Sequence, residues 1–327
     1  MGYSDLINRT GASALIPEEY SNAVLDQVTE SSAVMKLAKQ LSPMSRKQHR
    51  LPVLDSLPTA SFMNAENSLI ETTNVTWDNV YIDAEKLSVE VPIPMDVLDD
   101  SDIDIWAYVK PLLVEALGKT IDKAVLYGTG IPSTWTTNLG GAGLVARCTT
   151  ASHTVSIASF TDLYEAIMGE SSDGAADGLL SKIEADGFMA TGHIAAVGMR
   201  GRIRNCRDAD GLPIFKAGPT IKGKFATGEL DGGEVLYPLN GSMDASTALM
   251  ITGDWDKLVY KMRKDITYRI RTDGVIQDTG GNITHNLGQQ DMVSLQAIMR
   301  LGFALPNPIN QMNSTAATRC QFAALTA

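Results

Sequence analysis

Apolar residues recur along this chain with two periods, and the period changes at a few sharp points. From Pro17 onward, Tyr20, Val24 and Val28 return every four residues, a narrow helical stripe. Pro17 suits a first helical turn, and Glu18 and Glu19 sit at the positive end of that helix. A second short helix, capped by Ser31 or Ser32, carries Val34, Leu37, Ala38 and Leu41. One-sided stripes of this kind need a partner surface. Residues 1–16 are small and polar and read as an extended arm. Pro43, Pro52 and Pro58 then interrupt the pattern, and Arg46, Lys47, His49 and Arg50 form a basic cluster. Beyond them the period drops to two. Val75 to Ile82 is rich in β-formers, and Leu87, Val89, Val91 and Ile93 alternate with Lys86, Ser88, Glu90 and Pro92. Leu51 to Val91 therefore reads as one long two-stranded arm. An isolated hairpin is marginal in water, so this one is expected to lie on a neighbouring molecule.

The strongest helical signal follows over about residues 101–127. Ser101 and Asp102 are capping residues, and Asp99, Asp100 and Asp104 favour the same end. Ile105, Val109, Leu112, Leu113, Ala116, Leu117, Ile121, Ala124 and Val125 make its apolar face, and Gly128 stops it. At 1.5 Å per residue it spans roughly 40 Å. Pro111 inside it predicts a bend. Gly128 to Gly143 reads as a glycine-rich connection. A mixed α/β unit comes next. Ser159 and Asp162 resemble a capping box before Phe160, Leu163 and Ile167; residues 169–187 read as a loop and a weak helix; Met199, Ile203 and Cys206 form a short stripe. A short strand runs through Val235, Leu236 and Tyr237 between glycine turns. Two long alternating runs end the pattern. One holds Ile266, Tyr268 and Ile270; the other runs from Val293 to Phe303 and stops at Pro306 and Pro308.

Composition narrows the function classes. Of 327 residues, 44% are hydrophobic and 20% charged, enough apolar material for real cores. The net charge of −11 argues against a tight or sequence-reading nucleic-acid binder. Cys148, Cys206 and Cys320 form no CxxC pair and read as reduced thiols. Residues 1–10 carry Asp5 and no long apolar stretch, so no signal peptide is read there, and no apolar run is long enough to span a bilayer. His49, His153, His193 and His285 have no metal-ligand spacing and read as surface or hydrogen-bonded residues. Cys148 with His153 lacks the flanking pattern of a nucleophile and its base. The acids at 99–104 lack the spacing of a calcium loop and read as helix-end charges. Gly128-Thr129-Gly130 has no following Gly-Lys-Ser/Thr, so it is a helix stop and not a phosphate loop. No catalytic, cofactor or metal site is expected.

The order of these elements carries a resemblance. Ala14-Leu15-Ile16-Pro17-Glu18-Glu19-Tyr20, Glu30 to Val34, the run from Glu85 through Pro92 to Ser101, Gly128-Thr129-Gly130, Gly253-Asp254-Trp255 and Met299 to Pro308 resemble segments of the HK97-type major capsid family of tailed double-stranded DNA phages. The resemblance covers nearly the whole chain. It implies an α+β fold with an N-terminal arm and short helices over 1–45 and an extended β-hairpin, the E-loop, over 46–92. It implies a peripheral domain over 93–150 and 256–306, built on a spine helix at about 101–127. An α/β axial domain would take 151–255 and 307–327. It implies a non-enzymatic shell subunit that assembles in the host cytoplasm into the hexamers and pentamers of an icosahedral virion.

The implied partners are the chain itself, a portal protein, a separate scaffolding protein, a decoration protein, and packaged duplex DNA held by weak non-specific contact; no membrane is implied. Two departures shape those expectations. Only a short arm precedes Pro17, so scaffolding is expected from a separate protein, or not at all. No lysine lies between Leu51 and Glu85, and Lys86 stands at the foot of the returning strand, so covalent crosslinking through the hairpin is not expected. Candidate contacts between subunits are Arg46, Lys47, Arg50, Phe62, Met63, Trp77 and Lys86, with the aromatic residues aimed at a neighbour because a thin hairpin offers them no core. Arg200, Arg202, Arg204 and Arg207 read as partners for acids on adjacent subunits. Three other readings compete: an encapsulin-type compartment shell, an α/β hydrolase, and a tail or adhesin protein.

Overall fold

Ser32 starts the first helix described, Ala33–Leu37, by accepting the Met35 amide on its hydroxyl at 3.1 Å. The computed structural model describes residues 32–62, 72–100, 105–160, 162–169, 178–207, 212, 214, 220–222, 225–278 and 280–327, with backbone alone at Tyr108 and within 220–226. The expected arm at 1–16, the helix from Pro17 and the helix caps at 101–104 lie outside the described residues. The long helix is described over Ile105–Tyr127 and continues through Pro111. Leu113, Val114, Leu117, Ile121, Ala124, Val125 and Leu126 form its buried side. Leu112, expected on that side, is 50% exposed, and Ala116 is exposed too. The apolar stripe is thus narrower than the sequence suggests at the Pro111 end.

One polar residue sits inside this stripe. Asp122 is fully buried, and its carboxylate accepts the Ser32 hydroxyl at 2.6 Å and the amides of Ala33 and Val34 at 3.1 Å each. The Asn240 side chain reaches it at 3.5 Å. It therefore satisfies the open N-terminal amides of one helix from the middle of another. Burial pushes its pKa up to about 6, against the pull of these hydrogen bonds.

The long helix lies under a four-stranded sheet ordered β1 (Lys39–Gln40), β11 (Val259–Arg271), β14 (Met292–Ala304) and β4 (Glu85–Pro94). Both long alternating runs of the last third are in it, antiparallel to each other. The reading of Leu51 to Val91 as a single two-stranded arm is corrected here. The hairpin consists of β2 (Gln48–Leu54) and β3 (Trp77–Asp83), while β4 leaves it and pairs with β14 from Met292↔Pro94 to Leu301↔Glu85. Alternation reveals that a strand has two unlike faces; it does not say which strand lies alongside.

Gly128 to Gly143 is more than a connection. It contains the helix Ser133–Leu139, which follows Pro132 and ends at Gly140 with φ 71°. Trp135 on that helix is buried edge-to-face on Phe303, ring centroids 5.2 Å apart, and donates its indole N–H to the Asp83 carbonyl at 3.0 Å. Gly302 lets the foot of the hairpin close over β14: a Cβ there would stand 2.4 Å from the Asp83 carbonyl oxygen.

A second sheet has the order β5 (Thr154–Ser156), β15 (Phe322–Thr326), β10 (Met250–Gly253), β6 (Gly192–Ala195), β9 (Gly233–Pro238), β8 (Phe225–Leu230) and β7 (Thr220–Lys222). Asp231 and Gly232 join β8 to β9 with φ of 47° and 74°, the left-handed pair that a two-residue hairpin turn requires. Helices Leu163–Met168, Leu179–Ala185 and Val197–Arg204 cover one face through Ile167, Leu179, Ile183, Met199 and Ile203. The expected capping box is displaced: Ile157–Ser159 forms a 3-10 turn, and the helix begins after Asp162 without a side-chain cap. Residues Ile194, Leu236, Ile251 and Phe322 of this sheet join the core that the long helix shares with the first sheet.

Two outcomes follow from this packing. Gly302→Ala should cost about 1–3 kcal/mol in urea unfolding, because backbone must move to admit the methyl group. Asp122→Asn should cost about 1–3 kcal/mol at pH 7 by facing buried N–H groups with an amide. The folded pKa of Asp122 lies above its unfolded 3.8, so between about pH 6 and 3.8 the folded chain holds a proton that the unfolded chain lacks. Its contribution to stability rises as pH falls through that window, and thermal melts should show the wild-type margin over Asp122→Asn widening from pH 7 to pH 5.

Candidate assembly interface

Among the described residues the hairpin has an apolar core at its foot only. Ile82 and Ala84 are buried there with Met44, Val259 and Ala304, and Leu51 and Val80 pack partly against them. The Ala84 amide bonds to the Lys47 carbonyl at 2.8 Å, which closes the foot. Seven paired positions run outward from Gln48↔Asp83 to Leu54↔Trp77, and a bond from Ile309 N to Leu54 O at 3.1 Å braces the outer end. Farther out, Asp55 and Ser56 still bond to the Thr76 carbonyl.

The candidate residues divide into two groups along this ribbon. Arg46, Lys47 and Arg50 are exposed at the foot, and Lys86 is exposed at the start of β4. Trp77 is 68% exposed on the outer limb and Phe62 is 99% exposed beyond it. Met63 lies outside the described residues. A tryptophan and a phenylalanine held in water on a two-stranded ribbon form apolar surface with no core to enter. Other large apolar residues stand out at the opposite end of the long strands: Ile270 at 62% and, on the small hairpin β12 (Val275–Gln277) and β13 (Ile283–Asn286), Ile283 at 64%. Sequence reading missed this second projection, because its strands are too short to show a period. Arg202, Arg204 and Arg207 are exposed and Arg200 half-buried, on or just after the helix Val197–Arg204.

Cys148, His153 and His193 are turned inward. Cys148 is fully buried, and burial beside the Cys320 thiol pushes its pKa well up. His153 Nε2 lies 3.1 Å from Asp186, whose carboxylate also receives the Cys320 amide at 2.7 Å and the Asn313 side chain at 2.7 Å. Burial lowers the His153 pKa despite that carboxylate. These contacts clamp the β15 segment to the helix end at Ala185 and give no reagent access. His193, buried between Thr252 Oγ1 at 3.0 Å and the Leu230 carbonyl at 3.1 Å, is held near a pKa of about 4 by burial. Among the described residues no group of three or more metal-binding side chains comes together. No helix there is long and apolar enough to cross a membrane.

A family model for the phage capsid family matches residues 12–309. The chain belongs to the phage capsid family. Among relatives of this family, the major capsid protein of Staphylococcus phage 80alpha is 28% identical over 294 residues, covering 86% of this chain and 79% of that protein. A solved structure from Microbacterium phage Oxtober96 superposes with a TM-score of 0.72 at 28% identity, covering 90% of each chain. One from Mycobacterium phage Cain gives 0.72 at 25% identity over 98% of each. The α+β architecture is therefore the HK97-like capsid fold, as the resemblance implied, and self-association follows from membership of this capsid family.

The three thiols should separate by burial. A charged thiol reagent should modify half-buried Cys206 in the folded chain, and mass spectrometry should find Cys148 and Cys320 modified only after denaturant is added.

Proposed function

We propose that this chain is the major capsid subunit of a tailed phage, building the hexamers and pentamers of an icosahedral head around double-stranded DNA. The observation that carries the reading is the hairpin with a core at its foot alone and Phe62 and Trp77 in water beyond it. Such a ribbon gains little within its own chain and much on a neighbour. Many modest contacts of this kind add up on a closed lattice through multivalency. The contacts between subunits fall to Phe62, Met63 and Trp77 on the ribbon and to Arg46, Lys47, Arg50 and Lys86 at its foot. The family match over residues 12–309 supports this reading.

The division of labour we favour has four parts. Residues 1–45 are the arm, and 46–92 include the hairpin. Residues 93–150 and 256–306 form the peripheral domain on the long helix, while 151–255 and 307–327 form the axial domain. A portal protein, a separate scaffolding protein and a decoration protein are the further partners, and assembly takes place in the host cytoplasm. Contact with packaged DNA is weak and non-specific, in keeping with a net charge of −11. The chain's role is structural and not enzymatic.

Negative-stain electron microscopy of the expressed protein, with a nucleic-acid assay on the particles, tests the reading. Closed isometric shells or capsomer rings are expected. Shells filled with a protein cargo would point to an encapsulin-type compartment, and a small closed oligomer would overturn the reading. Trp77→Ala should shift monomer stability by no more than about 0.5 kcal/mol, as an exposed site does. The same variant should sharply reduce the yield of shells.

A further inference from the structure

Cys148 and Cys320 come from distant parts of the chain and meet in the main core, both fully buried. Cys148 lies in the last turn of the helix Leu144–Thr150, and Cys320 stands just before β15. Their thiols hydrogen-bond to each other, and both are free thiols.

The chain on either side holds them there. Arg147 donates to the Arg319 carbonyl at 2.7 Å and to the Ala316 carbonyl at 2.9 Å. The His153 amide bonds to the Cys148 carbonyl at 2.8 Å, and the Ala324 amide to the His153 carbonyl at 3.0 Å. Asp186 adds a third tie, accepting the Cys320 amide at 2.7 Å while it lies 3.1 Å from His153 Nε2. The neighbours of the two cysteines are thus fixed to each other independently of the sulfurs. A disulfide holds its sulfurs about 2.05 Å apart, so this pair has only to draw together within space that it already fills.

The two sulfurs are unequal. Burial pushes the Cys148 thiol up, while the hydrogen bond from Cys148 lowers Cys320. Cys320 is therefore the readier thiolate and the nucleophile. Hydrogen peroxide is neutral and scarcely larger than water, so small local openings admit it where they bar a bulky charged reagent. The Cys320 thiolate takes one oxygen from it and becomes a sulfenic acid; hydroxide leaves and takes up the proton that Cys320 released. The Cys148 sulfur then attacks the sulfenic sulfur. The S–S bond forms, the S–O bond breaks, and the Cys148 proton departs with the hydroxyl as water. Two thiols and one peroxide give one disulfide and two waters.

We infer that Cys148 and Cys320 are a disulfide site, reduced while the chain is made and assembled, and closed by peroxide once the particle is outside the cell. The inference rests on the capsid reading, which takes the subunit from a reducing cytoplasm to an oxidising exterior. The bond joins residues 148 and 320 into one ring that contains β11, β14 and every strand of the second sheet except β15. So long a ring restricts the unfolded chain far more than the folded one. A subunit that can still unfold and be recycled during assembly is thereby locked after release.

The Cys206→Ser chain, treated with hydrogen peroxide in native buffer, tests the site without interference from the half-buried third thiol. Mass spectrometry should show a loss of about 2 Da, the two thiol hydrogens. It should also find a peptide carrying Cys148 linked to one carrying Cys320, and dithiothreitol should reverse both changes. The oxidised chain should melt roughly 5 °C or more above the reduced one. Cys320→Ala in the same background should show neither the mass loss nor the rise. Oxygen added to either sulfur without a link, a link formed only after denaturant is added, or a link without a rise in melting overturns the inference. Particles kept after lysis and denatured in a thiol alkylator should carry the bond, and unassembled subunits taken from growing cells in the same way should carry thiols. Thiols in both overturn the assignment to the released particle. Failure of the wild-type chain to form shells would remove the capsid reading instead, and the native mass loss would still establish the bond.

Discussion

One helix covers one face of four strands, and much of the molecule depends on that helix staying in place. The covered side is dry: Phe303, Met299, Leu295 and Tyr260 lie against Leu117, Ile121 and Val125 in one core. Among the described residues the other side receives the foot of the hairpin, at the Val259–Ala304 end. A two-layer arrangement of this kind is stable only if the helix stays seated. Asp122 contributes to that by joining the helix to Ser32, Ala33, Val34 and Asn240 through a single buried carboxylate. A buried acid has a desolvation cost, so its four donors mark a position where orientation outranks economy.

Much of this was legible in the sequence, and the failures have physical causes. Periods of two and of about four identified β11, β14, β4 and the long helix, because each buries one side along most of its length. The partner of β4 was not legible: Leu87 to Ile93 has the same alternation whether it folds back on residues near 51 or meets residues near 295. The helix Ser133–Leu139 hid because Thr134, Thr136 and Thr137 are poor helix formers, and tertiary contacts of Trp135 and Leu139 override that preference. Asp122 hid because counting apolar residues passes over a polar one in the stripe. The strand Phe322–Thr326 is too short to display a period at all.

The candidate interface was legible in kind and incomplete in extent. A thin ribbon with Phe62 and Trp77 is visible from composition, since no core can form around two strands. The row Lys86, Arg300 and Lys264 across three strands is not visible, because its members come from segments far apart in the chain and meet only through register. Net charge conceals it further. A total of −11 averages an acidic hairpin and this row of cations into a number that describes neither.

The order of strands in the seven-stranded sheet has a consequence for the timing of synthesis. Among the described residues strand β5 pairs with β15 alone, and the bond from Thr326 to Val155 that accompanies this pairing bridges 171 residues. At translation rates of 5–20 residues per second, β5 waits on the order of ten to thirty seconds for its partner to leave the ribosome. During that interval the emerging chain cannot close the sheet, and the apolar residues meant for it stay uncovered. A nascent subunit is therefore exposed to chaperones and to aggregation until that strand has emerged.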